Sequence, residues 1–69
     1  MTLPIITENE KFVSYLINET NSFIRYVIIN KEEDIVEISC RDKIFETTNS
    51  IYLTESDIKN LLTTIEERN

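Results

Sequence analysis

Thirteen acids against seven bases in 69 residues describe one small domain of formal charge −6. That balance disfavours DNA, RNA and anionic membrane surfaces, whose phosphates call for clustered Lys and Arg. The chain has no His, no Gly and a single Cys, which removes an intrachain disulfide, a Cys/His zinc site, the usual neutral-pH acid/base and the glycine-rich phosphate loop.

A chain this short buries only about 60% of its unfolded surface. With disulfide and zinc gone, self-association or tight packing of large aliphatics must supply the stability. No stretch reaches transmembrane length, and "MTLPII" lacks the basic start and long apolar run of a secretory signal. The expectation is a cytoplasmic chain without membrane contact, in a reducing compartment that suits the lone Cys40.

The first predicted element opens at Thr7. Thr7-Glu8-Asn9-Glu10 has capping-box spacing, and Phe12, Val13, Leu16 and Ile17 recur at helical intervals. This predicts a helix over Glu8–Glu19, with those four residues inward and Glu8, Lys11, Tyr15 and Glu19 outward. Ser22–Asn30 is rich in β-branched and aromatic residues and reads as a strand apolar on both faces. A polar, glycine-free loop follows. Asp34–Arg41 alternates, with Val36, Ile38 and Cys40 on a buried face and Ile35, Glu37, Ser39 and Arg41 on a wetter one. Asp42-Lys43 is a weak turn, Ile44–Thr47 a third strand, Thr48–Ser50 another turn and Ile51–Leu53 a short fourth strand. Thr54 caps a last helix over Glu55–Glu67, with Asp57 three residues on and Ile58, Leu61, Leu62 and Ile65 forming one stripe.

The predicted fold is therefore α+β: an N-terminal helix, a three- to four-stranded antiparallel sheet and a C-terminal amphipathic helix packed on it. The doubly apolar strand Ser22–Asn30 needs a second cover, so a homodimer is expected.

The residue types argue against catalysis. Glu32, Glu33, Asp34 and Glu37 lack the glycine and ligand spacing of a calcium loop and read as a solvated tip, so no metal or other cofactor is expected. Cys40 shares the parity of Val36 and Ile38 and reads as a small core hydrophobe. The acidic tip is instead a surface for a protein partner with a basic surface, with Tyr15 as a further candidate contact.

Two resemblances follow. "RYVII", "DIVEI" and "IYLTESDIKNLLTTIEER" resemble the strands and closing helix of the positive-cofactor-four family of single-strand binders, across Arg25 to Arg68. That resemblance implies a dimer that binds single-stranded nucleic acid, with Arg25, Tyr26, Arg41 and Lys43 on or beside strands. The chain departs from the family in its acidity and in lacking a basic tract. Its small size, acidity and α+β architecture are similar to those of phage-encoded inhibitors, including anti-CRISPR proteins. That likeness implies a DNA mimic whose carboxylates, Glu32, Glu33, Asp34 and Glu37 with Glu55 and Asp57, stand where phosphates would lie. The expected function is a non-enzymatic protein-binding module, an inhibitor of a host nucleic-acid-binding protein. The second reading is the single-strand-binding dimer.

Overall fold

The computed structural model describes residues 2–68, in which five strands are followed by one helix. They are β1 (Ile5–Glu8), β2 (Phe12–Glu19), β3 (Phe23–Asn30), β4 (Val36–Asp42), β5 (Thr47–Leu53) and α1 (Glu55–Glu67). The strands form one antiparallel sheet in sequence order, so every pairing is a hairpin between neighbours.

The chain has no glycine to relax its turns, and side chains do the work instead. At each of the four strand connections, one side-chain oxygen accepts from the amides two and three residues ahead. Asn9 accepts from Lys11 and Phe12, and Thr20 from Ser22 and Phe23. Asn30 accepts from Glu32 and Glu33, and Asp42 from Ile44 and Phe45. These are the local turns that Asn, Asp and Thr favour over helix or ladder bonding. Among the described residues only Glu46 takes a left-handed backbone, at φ 55°.

The register divides the sheet into two faces. Val13, Val27, Ile38 and Ile51 mark an apolar face, which also carries Tyr15, Phe23, Arg25, Ile29, Val36, Cys40 and Leu53. A bulge between Leu16 and Asn18 adds Ile17 beside Arg25, Ile38 and Cys40. The opposite, mixed face carries Phe12, Ser14, Leu16, Tyr26, Ile28, Glu37, Ser39, Arg41, Ser50 and Tyr52. Neither face is closed. Val13 is the one buried hydrophobic residue among those described, and Ser14 and Ser39 are the buried polar ones. Ser39 is 1% exposed because longer side chains stand around its short one.

The structure corrects the predicted fold in four places. There is no N-terminal helix; Ile5–Glu8 and Phe12–Glu19 are strands, and the sheet has five strands instead of three to four. Phe12, Val13, Leu16 and Ile17 fit a helical stripe, but the same window alternates as Val13, Tyr15, Ile17 against Phe12, Ser14, Leu16. Its aromatic and β-branched content suits a strand, and pairing satisfies the free edge that β3 would otherwise present. The Thr7 hydroxyl, expected to cap a helix, lies 2.8 Å from the Ser14 hydroxyl across the β1–β2 pair. Second, Ile44–Glu46 forms a turn, and Thr47–Leu53 is one continuous strand against β4. Third, Ser39 on the expected wet face is the most enclosed residue of β4, while Val36, Ile38 and Cys40 are half-exposed.

The fourth correction concerns α1. It has the expected bounds and a complete capping box between Thr54 and Asp57. It does not pack on the sheet: none of its residues is buried, and Leu61, Leu62 and Ile65 are 53%, 54% and 43% exposed. Thr54 alone joins β5 to α1, and the capping box fixes the angle at which the helix leaves. No helix is long and apolar enough to cross a membrane among the described residues.

Candidate functional site

A meander sends alternate connections to opposite ends of its sheet. The β1–β2 turn, the β3–β4 loop and the β5–α1 junction therefore share one end. This end collects Glu8, Glu10, Glu32, Glu33, Asp34, Glu55 and Asp57, seven of the thirteen carboxylates, against Lys11, Lys31 and Lys59. The other end, where Glu19, Asp42 and Glu46 are matched in number by Arg25, Arg41 and Lys43 on its different surfaces, is formally neutral. The charge of the chain is thus polarised along the strands.

Two ion pairs tie down part of the acidic end. Lys31 Nζ lies 2.6 Å from Glu8 Oε2, and Lys59 Nζ lies 3.3 Å from Glu55 Oε1. Glu10, Glu32 and Glu33 have no ion-pair partner among the described residues and are exposed. Beside them the apolar face opens into a groove of about 570 Å³. Val27, Ile29, Ile35, Val36 and Ile58 give it apolar walls, and Glu32, Glu33, Asp34 and Glu55 rim it.

The residues expected to form one surface do not all meet. Glu32 and Glu33 stand free at the loop. Asp34 is exposed but tethered: its Oδ1 accepts from the Glu55 amide at 2.9 Å, so it caps the first turn of α1. Glu37 points to the mixed face, where its Oε2 accepts from Ser39 Oγ at 2.9 Å and from Ser50 Oγ at 3.4 Å. It therefore does not extend the tip. Tyr52 stands opposite Glu37 in the register. Hydrogen bonding to Glu37, then the carboxylate's charge and slight desolvation, raise the Tyr52 phenol above its ordinary 10.0. Tyr15 lies on β2, on the apolar face opposite Val27, and not on the outer side of a helix. Glu8 and Glu10 join the acidic end unforeseen, because the sequence reading places them on that helix.

The cations are dispersed. Arg25 lies on the apolar face with its guanidinium 4.0 Å from the Phe23 ring centroid. Arg41 is on the mixed face, bonded to Thr48, and Lys43 pairs with Glu19 beyond the strand end. Among the described residues no three acids or thiols converge as a metal site would need.

Fold and surface together define an open five-stranded meander with a projecting helix and a carboxylate-rich end. Comparison with protein-family models, curated proteins and solved structures finds no match.

Proposed function

We propose that this chain is a non-enzymatic protein-binding module whose carboxylate end engages a basic surface on its partner. The observation that carries the reading is the gathering of seven of the thirteen carboxylates at one end, beside an apolar groove. Carboxylates so placed draw in a cationic surface and align it. A host nucleic-acid-binding protein is the partner class this charge suits. Glu32 and Glu33 lead the contact, and Asp34 fixes α1 beside them. The single-strand-binding reading would need Arg25, Arg41 and Lys43 on one surface, and they lie on three.

The test compares the parent with a Glu32→Lys/Glu33→Lys variant as bait in a bacterial lysate. Association with the captured protein is then timed at low and high salt. A basic nucleic-acid-binding protein should be retained by the parent, and the variant should associate at least about tenfold more slowly at low salt. Equal association rates for parent and variant at low salt would refute the reading.

A further inference from the structure

The single chain exposes 5617 Å² of surface. A folded chain of 8.2 kDa is expected to expose only about 4,500 Å². Its radius of gyration is 13.3 Å, against about 11 Å for a compact domain of this length. The excess, roughly 1,100 Å², exceeds the ~800 Å² per partner that a stable protein interface covers.

Besides Ile44 and Phe45 of the β4–β5 turn and Tyr52 of the mixed face, two apolar surfaces stand open in the single chain. One is the apolar face, where Ile17, Ile29 and Ile51 are 44%, 37% and 57% exposed. The other is the α1 stripe of Leu61, Leu62 and Ile65. They are complementary in kind, yet the chain does not bring them together. The connection between β5 and α1 is one residue long, and the Thr54–Asp57 box and the Asp34–Glu55 bond fix the direction of the helix. Folding α1 back would break the Asp34–Glu55 bond, which ties the first turn of the helix to the β3–β4 loop.

From this we infer that the apolar face of one copy is covered by α1 of a second, and reciprocally, in a two-fold symmetric dimer. An isologous exchange uses each of these two surfaces once and closes. The carboxylate end stays outside this interface, so the inference stands apart from the proposed function.

Sedimentation equilibrium over about 1–100 μM should give twice the 8.2 kDa chain mass. A single-chain mass throughout would overturn the inference. Leu61→Asp/Leu62→Asp changes residues already exposed in the single chain. It should raise the dimer dissociation constant about a hundredfold, through lost apolar burial and charges left in the interface. Unchanged association of that variant would count equally against it. Should the variant not fold, the parent's Tm decides, rising with concentration for a dimer and constant for a monomer. A photo-crosslinking residue in place of Leu62 maps the arrangement with isotopically mixed copies. Cross-links to Ile17, Ile38 or Ile51 of the other copy support exchange, whereas cross-links confined to residues 55–67 refute it.

Discussion

Asp34 separates charge from structure at the acidic end, and removing its side chain measures the difference. The first four amides of a helix have no partner within it. In α1, Glu55 N donates to Asp34 and Asp57 N donates to Thr54. Asp34→Ala deletes one of these two bonds and a negative charge near the positive end of the helix. A capping bond is worth about 1 kcal/mol and the charge a further ~0.3–1 kcal/mol, reduced at an exposed site. The loss should thus be about 1–1.5 kcal/mol, felt first by a helix with no buried residue of its own. Amide exchange over residues 55–58 should speed up about tenfold, with lower far-UV ellipticity, while β3 and β4 stay protected. Asp34→Asn keeps an accepting oxygen and should recover most of the protection. Unchanged exchange in that first turn for Asp34→Ala would show that the bond holds nothing and that Asp34 belongs with Glu32 and Glu33. It follows that a charge reversal designed to spare the fold should leave Asp34 alone.

Ser39 Oγ lies 2.7 Å from Ser50 Oγ and 2.9 Å from the Glu37 carboxylate, so Ser39→Ala should cost about 1–2 kcal/mol in urea unfolding; a loss below about 0.3 kcal/mol would contradict the buried network. Glu46 holds a left-handed backbone, and Glu46→Gly should stabilise by about 1 kcal/mol, read as a higher urea midpoint. The Tyr52 phenol titrates above 10.0 because of Glu37, so Glu37→Gln should bring its absorbance titration back toward that value. The fold favours the neutral phenol, so this contribution to stability is complete below pH 10 and disappears as pH rises through the raised pKa.

Legibility followed how local each signal is. The capping box at Thr54 and Asp57 and the stripe from Ile58 to Ile65 are contained within α1, and the helix is read at its observed bounds. The dense β-branched run of β3 is equally local. The first hairpin is not, because Phe12–Ile17 satisfies both periods over so few residues. What settles it is the pairing with β3, which lies outside the window. Thr48–Ser50 resembles a turn by composition but is held straight by Cys40, Ser39 and Arg41 across the ladder. The exposed Glu32 and Glu33 follow from the sequence. The joining of Glu8, Glu10, Glu55 and Asp57 to them does not, because it depends on which turns share an end. Packing of α1 against its own sheet fails for a related reason. Amphipathicity shows that a helix has something to cover, and not which chain supplies it.

The four side-chain-closed turns also shape how the chain reaches its fold. Asn9, Thr20, Asn30 and Asp42 each stabilise the bend between two adjacent strands without help from a distant segment. Every hairpin can therefore nucleate separately, closing a short loop, and the sheet can grow outward from any of them. Low sequence separation of contacts favours rapid folding, and isolated hairpins form in about 1–10 μs. The docking of two copies inferred above would then be the slow step, with a rate that depends on concentration.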